Sequence, residues 1–161
     1  MTSFKDYFQS MVFVSCPACK RRALKTKWEN NYYVCPLCGH YHSMSANDRL
    51  SAVFDSGSIH EMDRRIQASD PLAFPDYQEK LIQQKKKTGL KEAAVTATGR
   101  IGGIPAVAVV LDSRFFMGSM SSAVGEKVTR AIEYATDKKL PLIVFSASGG
   151  ARMQEGIYSL M

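Results

Sequence analysis

The apolar positions of this chain follow a helical period, then a strand period, then a helical period again. Ser45 to Phe54 reads as a helix: Ser45 can cap it, Leu50, Val53 and Phe54 share one face, and Gly57 stops it. Asp76 to Lys87 reads as a second helix, ended by Gly89, after a linker carrying Asp70-Pro71 and Phe74-Pro75. Val95 to Arg100 then alternates, Gly102-Gly103 turns, and Ala106 to Leu111 is a nearly unbroken apolar run. That pattern predicts a hairpin whose second strand is buried on both faces. Ser121 to Lys139 is the longest helical stretch, with Val124, Val128, Ala131, Ile132 and Ala135 expected on its inner face. Leu142 to Phe145 predicts another buried strand. Ser146 to Gly150 breaks it, and a further helix is expected from about Ala151. Strand, helix, strand, glycine turn, helix is the order of an α/β layer with right-handed crossovers. The last helical pattern runs to Met161 without a cap or a following strand, so an interrupted domain is expected.

The first forty residues follow another rule. Cys16-Pro-Ala-Cys19 and Cys35-Pro-Leu-Cys38 are two CxxC knuckles separated by fifteen residues, a spacing that fits a zinc ribbon over residues 15–42. Two knuckles give Zn2+ four thiolates, a closed set that makes the metal structural. A segment this short buries little apolar surface, so the metal would supply its folding free energy. Gly39, after Cys38, can turn the backbone toward the metal, whereas Lys20, after Cys19, lacks that freedom. A pair of disulfides is the alternative, and no secretory context accompanies it. His40 and His42 lie near a set already filled by sulfur and read as surface residues.

Composition changes this picture only in part. A hydrophobic content of 45% and a charged content of 22% are ordinary for a globular protein, and no apolar run approaches a membrane span. Residues 1–14 read as a leader without signal-peptide character, which places the chain in the cytoplasm. The net charge is +6, and Lys20, Arg21, Arg22, Lys25 and Lys27 crowd the ribbon. Two readings stay open: weak nucleic-acid binding, or cations that offset the negative four-thiolate centre. Trp28, Tyr32, Tyr33 and Tyr41 could stack bases, and equally could form a small core.

No nucleophile-and-base set stands out. The cysteines are committed to metal, His60 has no evident partner, and the phosphate-loop pattern is absent. Two glycine turns remain, Gly118-Ser119 before the longest helix and Gly149-Gly150 after the last strand. Each is expected to place backbone N–H groups at a helix N-terminus, a geometry suited to an anion or a developing oxyanion.

The ribbon CPACKRRALKTKWENNYYVCPLCGHYH and the segments LDSRFFMGSMSSAVGEKVTRAIEYA and PLIVFSASGGARMQEG together resemble the beta subunits of bacterial acetyl-coenzyme A carboxylase carboxyltransferases. The resemblance runs from about residue 4 to the last residue. It implies a crotonase-like fold of stacked ββα units, of which residues 91–161 would be the N-terminal part, joined to the ribbon by a helical region over 43–90. It implies transfer of a carboxyl group from carboxybiotin, on its carrier protein, to acetyl-CoA, giving malonyl-CoA for fatty acid synthesis. The implied partners are an alpha subunit, in an alpha2beta2 assembly, the biotin carboxyl carrier protein and biotin carboxylase. ATP binding would belong to the whole complex. The resemblance assigns Gly149 and Gly150 to a backbone oxyanion hole, with Gly118 and Ser119 as weaker contributors. A zinc-ribbon nucleic-acid-binding or regulatory module is the alternative function.

Overall fold

A computed structural model describes residues 12–161. The expected leader lies, up to residue 11, outside the described residues. The described residues divide into two compact units, one up to residue 44 and one over 45–161.

In the first unit, β1 (Phe13–Ser15) pairs antiparallel with β2 (Arg22–Leu24), and a short helix α1 (Lys25–Asn30) follows directly. Trp28 of α1 is buried with Cys16, Ala23 and Cys35, a core too small to hold a fold unaided.

The second unit is a four-stranded mixed sheet flanked by helices. Its strands are β3 (His60–Met62), β4 (Ala94–Ile101), β5 (Ile104–Leu111) and β6 (Leu142–Phe145), in that spatial order. The first three are antiparallel, while β6 runs parallel to β5. The helices are α2 (Ala46–Val53), α3 (Tyr77–Thr88) and α4 (Ser122–Lys138). Alternation along β5 explains its continuous apolar run. Val107 and Val109 pack against Ala131 and Ala135 of α4, while Ala106, Ala108 and Val110 join Ala46 and Leu50 of α2 and Phe54 on the other face. The Phe54 ring lies over Gly99, where a Cβ would come within 2.7 Å of it. The hairpin turn Gly102-Gly103 is held from outside, both of its N–H groups donating to the Asp55 carboxylate at 2.9 and 2.8 Å. Those bonds hold the Asp55 carboxyl below its ordinary range.

Several expectations are corrected. β3 lies in the stretch read as linker; three residues are too few to display a period. Ile132 is 47% exposed, while Lys127, on the stripe of Val124 and Ala131, is buried. β6 is only half-buried, with Val144 50% exposed, because among the described residues it is paired on one side alone. The helix expected after Ala151 is a 3-10 segment over Met153–Ser159, kinked at Gly156, whose φ of 54° and ψ of −134° leave the helical region.

Candidate active site and metal centre

The two CxxC knuckles fold alike. The Lys20 N–H donates to the Cys16 carbonyl at 3.0 Å, and the Gly39 N–H to the Cys35 carbonyl at 2.9 Å. Both residues after the second cysteine of a pair are left-handed, Lys20 at φ 60° and Gly39 at φ 74°. Lys20 therefore adopts the turn that glycine adopts freely, at a cost of about 1 kcal/mol. The four Sγ atoms lie within 4.8 Å of one another, with Cys16–Cys38 at 3.6 Å and Cys19–Cys35 at 4.0 Å. A tetrahedral ion with metal–sulfur bonds of about 2.3 Å needs sulfurs about 3.8 Å apart, so the set fits a metal ion. No disulfide joins these sulfurs, whose spacings exceed a sulfur–sulfur bond of about 2.05 Å. The Cys19 thiol is lowered to about 6, first by the Arg21 backbone N–H and further by the Arg21 side chain, so this sulfur is already a thiolate near neutrality. His40 and His42 stay outside the cluster; the His42 ring stands edge-on to Trp28 at 5.7 Å.

In the second unit the structure brings the two glycine turns together. The Met120 N–H donates to the Gly150 carbonyl at 2.9 Å and the Arg152 N–H to the Met120 carbonyl at 2.8 Å, a short parallel bridge. Gly118 adopts φ 74°, and a Cβ there would fall 2.4 Å from the Ala147 carbonyl oxygen. Only glycine allows this backbone approach. A Cβ on Gly149 would sit 3.1 Å from the Met117 Cβ, while the space beside Gly150 is open. A cleft of about 500 Å³ adjoins Phe116 and Met117 and is also lined by Gln84, Lys87, Thr88 and Arg114.

The N–H groups of the turns are not all available. Gly118 donates to the Phe115 carbonyl, Ser119 to the Phe116 carbonyl and Gly150 to the Ser148 hydroxyl, at 2.9, 3.0 and 3.0 Å. Gly149 N–H makes no hydrogen bond among the described residues. The helix-terminus expectation also changes. No α-helix follows Gly150 directly, and the N-terminus of α4 is filled from within. Glu155 accepts from the Ser122 N–H and hydroxyl, both at 2.8 Å, and the Ser121 hydroxyl accepts from the Val124 N–H. The α4 dipole therefore stabilises an internal carboxylate.

Behind the turns lies a buried polar cluster that the sequence did not disclose. Arg152 is 2% exposed, and all five of its guanidinium donors are used. Nε reaches the Ser119 hydroxyl, Nη1 reaches Tyr77 Oη and Glu92 Oε2, and Nη2 reaches Glu92 Oε1 and the Ser119 carbonyl. Tyr77 donates in turn to Glu155 at 2.7 Å. Glu92 also accepts from the Ala93 N–H and the Ser121 hydroxyl. The Phe115 and Phe116 rings face the guanidinium at 5.7 and 5.0 Å. Burial works against the Arg152 charge, yet Glu92 outweighs it and the net shift is upward. Burial and the bond to Glu155 push the Tyr77 phenol up, so it stays a donor. The one available sequence signal was Arg152 standing beside Gly149-Gly150 and three residues before Glu155; the link to Glu92 spans sixty residues.

Known proteins share this arrangement of chain. The family model of the carboxyl transferase domain matches residues 49–161. The acetyl-coenzyme A carboxylase carboxyl transferase subunit beta of Carboxydothermus hydrogenoformans is 50% identical over 146 residues, covering 91% of this chain and 52% of that protein. The chain thus spans about half the length of this curated relative. The transcarboxylase 12S structure with methylmalonyl-coenzyme A and methylmalonic acid bound is 28% identical, with a TM-score of 0.63, over 73% of this chain and 21% of that one. A Pseudomonas malonate decarboxylase hetero-tetramer in complex with malonate shares the fold, at 24% identity and a TM-score of 0.56, over 74% of this chain and 44% of that one. With the family model covering most of the second unit, this mixed α/β chain belongs to the carboxyl transferase domain family.

Proposed function

We propose that this chain is the N-terminal part of a carboxyltransferase beta subunit that moves a carboxyl group from carboxybiotin to acetyl-CoA, forming malonyl-CoA for fatty acid synthesis. The reading rests most on one observation, the Gly118-Ser119 turn laid against Gly149-Gly150 with the Gly149 N–H unspent and open space beside Gly150. When bound, carboxybiotin would supply the carboxyl group and, once decarboxylated, the base for the acetyl methyl proton; the thioester oxygen would then carry negative charge that needs donors in place. Preset backbone donors stabilise such charge without any nucleophilic side chain. Gly149 is the donor assigned here; Gly150, Gly118 and Ser119 shape the turn, since their N–H groups are already bonded. The cleft beside Met117, with Lys87 and Arg114 at its wall, has the polarity for a phosphate-bearing acyl carrier.

Within this reading residues 91–161 open a crotonase-like domain of stacked ββα units, and residues 15–42 are a zinc ribbon whose ion is structural. The partners are an alpha subunit in an alpha2beta2 assembly, the biotin carboxyl carrier protein and biotin carboxylase, in the cytoplasm. The test is the complete subunit co-expressed with its alpha partner and assayed for malonyl-CoA formation. Gly118→Ala, which drives a Cβ into the Ala147 carbonyl oxygen, is expected to lower turnover about 10²-fold. Parental turnover in a Gly118→Ala complex would remove the turn from the chemistry, and a co-purified complex that forms no malonyl-CoA would sink the reading as a whole.

A further inference from the structure

We propose that Arg152 is a positioning residue: its guanidinium sets the spacing between the two glycine turns, and with it the direction of the Gly149 N–H. The proposal rests on the carboxyltransferase reading for its catalytic consequence, but its structural half stands alone. Five donors leave one planar group in fixed directions, and two of them end on Ser119, one on its hydroxyl and one on its carbonyl. The Arg152 backbone also belongs to the bridge that ties Met120 to Gly150. Main chain and side chain of one residue thus hold the Gly118-Ser119-Met120 segment against the Gly149-Gly150 turn. On the far side Glu92 and Tyr77 keep the guanidinium from shifting, with the two Glu92 bonds at 2.7 and 3.1 Å.

A plain structural ion pair predicts different behaviour. Removing one buried partner is costly because it strands the other, whereas replacing the whole pair by neutral groups of like size is close to neutral. Glu155 also faces Arg152, its Oε1 3.5 Å from Nη1, but it keeps the Tyr77 hydroxyl and the α4 N-terminus when Arg152 is replaced. The matched neutral pair is therefore Arg152→Met with Glu92→Gln. If the pair only stabilises, the double variant regains everything. If Arg152 positions the turns, the double variant regains stability alone.

The experiment has three readouts. In the present chain, Arg152→Met should lower the thermal midpoint by roughly 10–15 °C, and Arg152→Met/Glu92→Gln should return it to within about 5 °C of the parent. Amide exchange at Met120 and Arg152, whose N–H groups form the bridge, should stay about tenfold faster in the double variant. In the complete subunit with its alpha partner, kcat should fall about 10²-fold with little change in KM, because a misdirected donor is missed most in the transition state. Arg152→Lys keeps the charge without the fork and covers the case in which the double variant fails to fold. It should show the same faster exchange and an intermediate kcat. Parental exchange and parental kcat in the double variant, or in Arg152→Lys should the double not fold, overturn the proposal. If the parental complex transfers no carboxyl group, the function is wrong, and the exchange measurement still decides whether Arg152 positions the turns.

Discussion

Asp112 shows how much one carboxylate can hold. It is buried at the end of β5, accepts from the Ala46 N–H at the start of α2 at 2.8 Å, and pairs with Arg114 through two side-chain bonds at 2.9 and 2.7 Å. Burial alone would raise its carboxyl, but Arg114 and the backbone donors outweigh burial and hold it below the ordinary value. A group whose folded value is depressed contributes stability above its unfolded value, about 3.9 for aspartate, and that contribution is lost as pH falls through the folded value. Asp112→Asn keeps an acceptor and loses the charge. It should cost about 1–3 kcal/mol at neutral pH. The gap between the two proteins, read as thermal midpoints against pH, should narrow below about pH 4. A gap that stays constant down to pH 2 would mean that the Asp112 charge contributes nothing.

At the scale of elements, the four-cysteine unit is where a metal ion would be coupled most tightly to the fold. Its core is Trp28, Ala23, Cys16 and Cys35, which cannot offset the entropy of ordering some thirty residues at about 1–2 kcal/mol each. Zinc removal by chelation, or Cys35→Ser, should therefore release amide protection across residues 13–42, and metal analysis of the reduced protein should give one zinc per chain. Protection that survives a metal-free preparation would contradict this. The knuckles were legible because ligand spacing is local, and the hairpin and α4 were legible because eight and seventeen residues are enough to show a period. β3, with three residues, was not. The glycine turns could be picked out one by one. Their meeting could not, since it depends on Arg152, Glu92 and Tyr77, charged and polar residues that a pattern reading assigns to the surface. Lys127, which no apolar pattern marks, is likewise buried on α4 and donates to the Ala94 carbonyl at 3.0 Å.

Across the whole molecule, charge decides how far a nucleic-acid reading can go. With one Zn2+ held by four thiolates, the formal +6 of the chain would fall by two, to +4. Of the five cations between Lys20 and Lys27, Arg21 is spent on the Leu37 carbonyl and Lys25 pairs with Glu29 at 3.6 Å. Lys20, Arg22 and Lys27 are exposed and have no ion pair among the described residues. The exposed rings of Tyr32 and Tyr41 offer stacking faces, which every base can use and which carry no sequence code. Three phosphate contacts on a single strand correspond to a slope of about −2 in the logarithm of affinity against the logarithm of salt. Any binding of the zinc-loaded chain to single-stranded nucleic acid should therefore be weak, tolerant of sequence and close to that slope. Lys20→Gln together with Lys27→Gln should flatten it to about −0.7. Affinity that holds unchanged at high salt would require base-edge contacts instead, and would move the ribbon from a metal-held structural module to a sequence reader.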